Sequence, residues 1–128
     1  MSEPIQDIWW TSGLCSTFAA RLQQRFGGEI WGIINHSNKY PKDDYLWHCY
    51  YVIGDSAYDA NGWHSIAEAA NTSLPIPEMD KDNDVVFVWQ KLSIDWFEEN
   101  HEDYNPFDFP AADGYIESHR NLFTPLLT

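Results

Sequence analysis

The sequence predicts an α+β fold in which helices and antiparallel strands alternate along a short chain. Three stretches carry this prediction: an amphipathic helix over residues 11–28, two strand-forming runs joined by Gly54-Asp55, and a third strand-forming run over residues 84–92. Of the 128 residues, 44% are hydrophobic and 16% are aromatic. This length and composition suffice for one packed core, so we expect a single domain over residues 1–128.

The first element is the helix over residues 11–28. Thr11 or Ser12 is predicted to cap its start, and Gly27-Gly28 is predicted to end it. Cys15 therefore lies in the first turn, where free backbone N–H groups and the helix dipole favour a thiolate. Apolar residues recur three and four positions apart and form one face, which consists of Leu14, Cys15, Phe18, Ala19, Leu22 and Phe26.

Three strands are predicted in the first half of the chain. Residues 29–36 and 45–53 are rich in β-branched and aromatic side chains, and residues 35–44 form a loop between them. Gly54-Asp55 is typical of a two-residue type II′ turn, after which residues 56–62 return as the next strand.

The register of this hairpin decides which polar side chains meet. If Ile53 pairs with Ser56, one face of the hairpin carries four polar side chains and Cys49 points to the other face. A three-residue turn would move Asp59 to the opposite face. The four side chains that share a face in the two-residue case are those of His48, Tyr50, Asp59 and Asn61.

The rest of the chain is predicted to be mostly helix and loop. The alanine-containing segment 63–71 is predicted to form a short helix, followed by a loop over residues 72–84. Ser93 is a plausible cap for a helix over residues 93–101. Residues 105–110 interrupt the pattern, and a last helix is expected over residues 114–123.

The charge of the chain excludes some partners. A net charge of −13 repels nucleic acids and anionic membranes, so we expect neither as a partner. Residues 78–128 carry twelve acidic and three basic residues, which form either a solubilising surface or a docking face for a basic protein. With two cysteines, no apparent leader and no membrane-spanning run, the chain is expected to be cytoplasmic.

Cys15, His48 and Asp59 supply the three groups that thiol catalysis requires. These are a nucleophile, a base that activates it and a carboxylate that orients the base. Each residue also has a structural interpretation: a buried core cysteine, a hydrogen-bonded core histidine and a carboxylate at a strand end. Asn61 is nearly as well placed as Asp59 to orient His48.

Two short motifs resemble the papain-like and transglutaminase-like cysteine hydrolase superfamily. The run Ser-Gly-Leu-Cys-Ser-Thr-Phe-Ala around Cys15 is similar to the opening of the nucleophile helix in that superfamily. Trp47-His48 and the later run Tyr-Asp-Ala-Asn-Gly around Asp59 resemble its histidine and aspartate strands. The match covers residues 12–63 and is closest to the arrangement in small bacterial and phage members.

This resemblance implies a cysteine-bearing helix packed on an antiparallel sheet, and amide hydrolysis or acyl transfer through a thioester without a cofactor. The substrate would be a protein or peptide. Papain-type enzymes carry a glutamine shortly before the cysteine, and Gln6 lies too far upstream to match it. The oxyanion hole would then use the Cys15 backbone N–H and a group from Trp10, Thr11 or Ser12. The candidates for lining a groove are Trp9, Trp10, Trp47 and Trp63.

Other chemistry has less support in the sequence. The five histidines lack metal-ligand spacing, and Gly27-Gly28 follows a helix instead of opening one, so neither a metal site nor a phosphate loop is expected. Cys49 is expected to be buried packing. In a regular strand, His48 and Cys49 cannot both face Cys15, so a Cys15–Cys49 disulfide and a Cys15–His48 pair are alternatives. The alternative function is a non-enzymatic acidic binding or inhibitor protein on a hydrolase-like scaffold, which would act through Glu98, Glu99, Glu102 and Asp103.

Overall fold

The computed structural model describes residues 6–40 and 44–127. Within these two ranges the chain forms a five-stranded antiparallel sheet with the strand order β4-β3-β2-β1-β5. The strands are β1 (Glu29–Ser37), β2 (Tyr45–Ile53), β3 (Ser56–Asp59), β4 (Gly62–Ser65) and β5 (Val85–Leu92).

Helices precede the sheet and follow it. The α-helices are α1 (Cys15–Phe26), α2 (Ile66–Ala69), α3 (Ile94–Asn100), α4 (Phe109–Ser118) and α5 (Thr124–Leu127). Shorter 3-10 helices lie at Asp7–Thr11, Glu78–Asn83, Pro106–Asp108 and Arg120–Leu122. The α+β class, the N-terminal helix and the antiparallel sheet are therefore confirmed.

The predicted hairpin has the predicted register. Ile53 pairs with Ser56 and Tyr51 pairs with Tyr58 across a two-residue turn. Of the two turn residues only Gly54 has a positive φ, of 57°, as a type II′ turn requires. The four predicted strands are confirmed, although β1 extends to Ser37 and β3 ends at Asp59. Part of the predicted loop over residues 35–44 falls on residues 41–43, which lie outside the described residues.

Three predictions about helices were wrong in part. Residues 62–65 form β4 where a helix was expected from residue 63, because the turn after Asp59 continues the sheet. Neither Thr11 nor Ser12 caps α1, since both hydroxyls donate to the Ile8 carbonyl. In the C-terminal part, α4 begins at Phe109, five residues before the predicted start, and Pro110 fits in its first turn, where its missing N–H is not needed.

Helix α1 packs on one face of the sheet and supplies the centre of the core. Phe18 and Leu22 on α1 contact the buried rings of Tyr51 and Tyr58 from β2 and β3, together with Ile116 of α4. Farther along the sheet, Cys15, Ala19 and Ala20 pack with residues of β1, β2, β5 and α3, namely Ile30, Ile34, Leu46, Cys49, Leu92 and Phe97. Full burial of a side chain of this kind stabilises the fold by about 1.5–3 kcal/mol.

The C-terminal segment fixes the position of α1. Arg21 donates to both carboxylate oxygens of Asp113 on α4, at 2.8 and 2.6 Å. The Asn105 N–H donates to the Thr17 hydroxyl at 3.0 Å, and His101 Nε2 donates to the Gly13 carbonyl at 3.2 Å. Residues of the C-terminal segment thereby hold α1 and the turn before it in place.

Candidate active site

Cys15 lies in the first turn of α1, as the sequence predicted, although the helix begins at Cys15 itself and not at residue 11. Its side chain is 4% exposed, and the helix has no side-chain cap at Leu14. The backbone N–H groups of the first turn and the helix dipole therefore act on the thiol without a competing capping oxygen. This environment favours the thiolate.

His48 on β2 is hydrogen-bonded to Asp59, the last residue of β3. His48 Nε2 lies 3.0 Å from Asp59 Oδ2, and the Asp59 side chain is 6% exposed. Pairing between β2 and β3 ends at Tyr51 and Tyr58. The side chains of His48 and Asp59 therefore meet just beyond the paired part of the two strands. This bond occupies Nε2 and leaves Nδ1 as the ring nitrogen that can serve Cys15.

The ionisation of Cys15 and His48 is coupled. Hydrogen bonding from Cys49 and then from His48 outweighs burial and holds the pKa of the Cys15 thiol well below its usual value of 9.0. Burial alone would lower the pKa of His48, but its hydrogen bonds with Asp59 and Cys15 raise that pKa to about 9. These opposite pKa shifts favour a thiolate on Cys15 beside an imidazolium on His48.

Cys49 also interacts with Cys15, contrary to the rule for a regular strand. The register between β1 and β2 shifts at Ile33 and Ile34, whose partners are His48 and Leu46, so Trp47 is the extra residue of a β-bulge. A bulge bends the strand and redirects the side chains beside it. His48 and Cys49 can therefore both reach Cys15. Burial is the largest cause that raises the pKa of Cys49, and the interaction with Cys15 raises it further.

Asp59 accepts three hydrogen bonds. Besides His48, its donors are the Asn61 backbone N–H at 2.8 Å and His64 Nε2 at 2.9 Å, both to Oδ1. Burial would raise the pKa of Asp59, but the bonds from His48 and His64 lower it below its usual value. Asp59, and not the Asn61 side chain, is the group in contact with the His48 ring.

His64 was missed by the sequence reasoning. It lies on β4 opposite Ala57, and Ala57 and Asp59 are two residues apart on β3, so His64 and Asp59 share a face. The signal was the Asn61-Gly62 pair, which is typical of a turn between two strands. The alanines within residues 67–70 predicted a helix instead, so strand β4 and the position of His64 on it were not predicted.

An open groove of about 450 Å³ lies over His48 and Asp59. It is lined by Thr11, Ser12, Trp47, His48, Asp59 and Asn61. The hydroxyls of Thr11 and Ser12 are already bonded to Ile8, and the Cys15 N–H has only a long contact of 3.3 Å to the Ser12 carbonyl. The bond of the Cys15 N–H is longer than that of the Ser12 N–H, which donates to the Trp9 carbonyl at 3.1 Å.

The four candidate groove tryptophans have different environments. Trp47 lines the groove over His48, whereas Trp9 lines a separate cavity of about 290 Å³ beside Gly13, Leu14, Asp103 and Asp108. Trp10 is 2% exposed and packs against Phe18, so it belongs to the core. Trp63 is 55% exposed and donates to the Ser56 hydroxyl.

Within residues 6–40 and 44–127, no group of three or more His, Cys, Asp or Glu side chains is arranged to hold a metal ion. In the same part of the chain, no helix combines the length and apolar character needed to cross a bilayer. Comparisons with models of protein families, with curated proteins and with solved structures gave no significant match. The geometry of this site is therefore the basis for assigning a function.

Proposed function

We propose that this protein is a cysteine-dependent hydrolase or acyl-transfer enzyme acting on an amide bond of a protein or peptide. The observation that carries the proposal is the chain of contacts from Asp59 through His48 to Cys15 at the start of α1, beside an open groove. It agrees with the resemblance of the Cys15, His48 and Asp59 motifs to the papain-like and transglutaminase-like superfamily.

In the proposed reaction the Cys15 thiolate attacks the amide carbonyl carbon and forms a tetrahedral oxyanion. The Cys15 backbone N–H is the donor we assign to that oxyanion. Protonated His48 gives its proton to the leaving nitrogen, the C–N bond breaks and a thioester on Cys15 remains. His48 then takes a proton from water or from an acceptor amine, which attacks the thioester and releases the thiolate.

Asp59 stabilises the imidazolium form of His48 and fixes its ring orientation during both steps. Burial of Asp59 strengthens this interaction, because water does not compete for the carboxylate. Trp47 lies on the groove wall beside His48 and offers an aromatic surface to the substrate chain.

Alkylation by iodoacetamide tests the activated thiol directly. We expect Cys15 in the wild-type protein to react at a pH well below 9.0, the usual pKa of its thiol. His48→Ala should shift its reaction toward that pH, and Cys49 should stay unlabelled in the folded protein because it is buried. Slow labelling of Cys15 only above about pH 8 would contradict the proposal.

Turnover requires a second experiment. The protein is incubated with a peptide mixture that includes side-chain amides, and mass spectrometry records cleavage, deamidation or cross-linking. Hydroxylamine should intercept the thioester and yield hydroxamates. Cys15→Ala is the control, and product formation that persists in it would exclude Cys15 as the nucleophile.

The alternative function is supported by a separate surface. Glu98, Glu99, Glu102 and Asp103 are all exposed at the end of α3, and Asp103 lies beside Gly13, close to the start of α1. This surface suits a basic protein partner. Binding retained in Cys15→Ala but lost when these four residues are changed to their amides would favour a binding or inhibitor protein over an enzyme.

A further inference from the structure

We infer that His64 is a positioning residue of the proposed reaction, which acts on His48 through the shared carboxylate of Asp59. The inference rests on the proposed function, because positioning matters only if His48 serves Cys15. His64 Nε2 holds Asp59 Oδ1 at 2.9 Å while Asp59 Oδ2 holds His48 Nε2 at 3.0 Å.

The two bonds divide the carboxylate between the two histidines. With donors on both oxygens, rotation of the carboxylate about its Cβ–Cγ bond breaks at least one bond, so its orientation is fixed. The Asn61 N–H supports Oδ1 but comes from the turn at the groove edge. His64 comes from β4 and ties the carboxylate to a third strand of the sheet.

The ring of Tyr50 completes this arrangement. It meets His48 edge to face, with ring centroids 4.8 Å apart, and meets His64 in a similar way at 5.5 Å. Both histidines therefore pack against one aromatic side chain while both bond to one carboxylate. Aromatic contacts of this kind limit the orientations that each imidazole adopts.

His64 does not itself line the groove, and it reaches His48 through its bond to Asp59 and its contact with Tyr50. Without His64, Oδ1 keeps one donor and the carboxylate is freer to rotate away from His48. The expected result is a His48 ring that less often presents Nδ1 to Cys15. The fold itself should change little, because the His64 side chain is 26% exposed.

The test compares His64→Ala with His64→Gln, whose amide keeps a donor near the position of Nε2. We expect His64→Ala to lower the alkylation rate of Cys15 at neutral pH about three- to tenfold, the range that the net free energy of one hydrogen bond corresponds to. His64→Gln should restore most of the rate. The proton on His48 Nε2, observed by NMR, should exchange faster in His64→Ala than in wild type.

His36→Ala is the matched control, because His36 Nδ1 bonds Asp44 Oδ2 at 2.7 Å in a second histidine–aspartate pair outside the site. Thermal melting of each variant separates loss of folding from loss of positioning. Fast wild-type alkylation that is unchanged in His64→Ala overturns this inference alone. Slow wild-type alkylation overturns the activation of Cys15, and this inference with it.

Discussion

Cys49 distinguishes this site from a simple pair of thiol and imidazole. Its thiol is 1% exposed. This burial raises the pKa of Cys49, and the interaction with Cys15 raises it further. Cys49 therefore keeps its proton and acts as an S–H donor to the Cys15 thiolate. Since hydrogen bonding from Cys49 is the largest influence on the pKa of Cys15, the second cysteine has a chemical role besides packing.

We predict that Cys49→Ala raises the pKa of Cys15 by about one to two pH units, because it removes one hydrogen bond to a charged group. Cys49→Ser, which keeps a donor of similar size, should change the pKa less. The measurement is the rate of Cys15 alkylation as a function of pH. An Ala variant with the wild-type profile would show that Cys49 only fills space.

The sequence predicted the three residues of the site but missed part of their surroundings. Cys15, His48 and Asp59 could be chosen because their residue types and predicted elements suit one reaction, and the structure brings them together. That both His48 and Cys49 act on Cys15 could not be predicted, because it requires an irregularity in β2, the bulge at Trp47, that alternation does not encode.

Among the elements, the connection from α1 to β1 is the most constrained by backbone geometry. Gly28 has a φ of 84°, and a Cβ there would lie 2.8 Å from the Val52 carbonyl oxygen and 2.9 Å from the Tyr51 ring. Gly54 also has a positive φ, of 57°, but a Cβ there would meet nothing within 4 Å. A substitution at Gly54 therefore tests backbone strain alone, whereas a substitution at Gly28 tests backbone strain together with steric overlap.

We predict that Gly54→Ala lowers the free energy of unfolding by about 1–2 kcal/mol, through backbone strain alone. Gly28→Ala should lower it by about 1–3 kcal/mol more, because Val52 and Tyr51 must also move. Urea unfolding of both variants measures the difference. Equal losses would mean that β2 shifts to accommodate the added methyl group at little cost.

The ion pairs that link α1 to α4 can be compared with a more exposed ion pair near the end of α4. Arg21 and Arg25 both contact Asp113, whose side chain is 32% exposed, whereas Glu117 pairs with Arg120 at a site where both are more than half exposed. Asp113→Asn should lower the free energy of unfolding by about 1 kcal/mol, because it weakens a two-pronged, partly buried pair.

Glu117→Gln is the matched control, and it should change the free energy of unfolding by less than about 0.5 kcal/mol. Both changes remove one negative charge from α4, so their effects on the net charge cancel in the comparison. A control variant as destabilised as Asp113→Asn would contradict a specific link between the helices.

The elements that were predicted well are those with strong local signals. The register of β2 and β3 followed from Gly54-Asp55, and α3 followed from Ser93, whose hydroxyl accepts from the Trp96 N–H at 3.1 Å. Strand β4 is only four residues long and its neighbours favour helix, so its pairing with β3 outweighs local propensity. The bounds of α4 depend on packing against α1, which the sequence pattern does not contain.

For the whole molecule, the site couples stability to pH. Because the pKa of His48 is raised to about 9, its stabilisation is fully present below 6.5 and is lost as the pH rises through 9. The pKa of Cys15 is lowered, so its stabilisation is present above 9.0 and is lost as the pH falls. Between 6.5 and 9 the two changes oppose each other.

The pH dependence of stability also follows from the number of protons that the folded and unfolded states bind. With Cys15 as a thiolate and His48 as an imidazolium, the folded pair holds one proton, on His48. Near neutral pH the unfolded pair also holds one proton, on Cys15. Below 6.5 the unfolded His48 binds a second proton while the folded pair still holds one. The unfolded state then binds more protons, so stability falls as the pH falls.

We therefore predict that wild type loses stability relative to Cys15→Ala by up to about 1.4 kcal/mol per pH unit below about pH 6.5. In Cys15→Ala the thiol is absent from both states, so this contribution disappears while the other carboxylates and histidines of the chain remain common to both proteins. The measurement is urea unfolding of both proteins under reducing conditions, from about pH 5 to pH 6.5. A difference in free energy of unfolding that stays constant over this range would mean that Cys15 is not a thiolate in the folded protein.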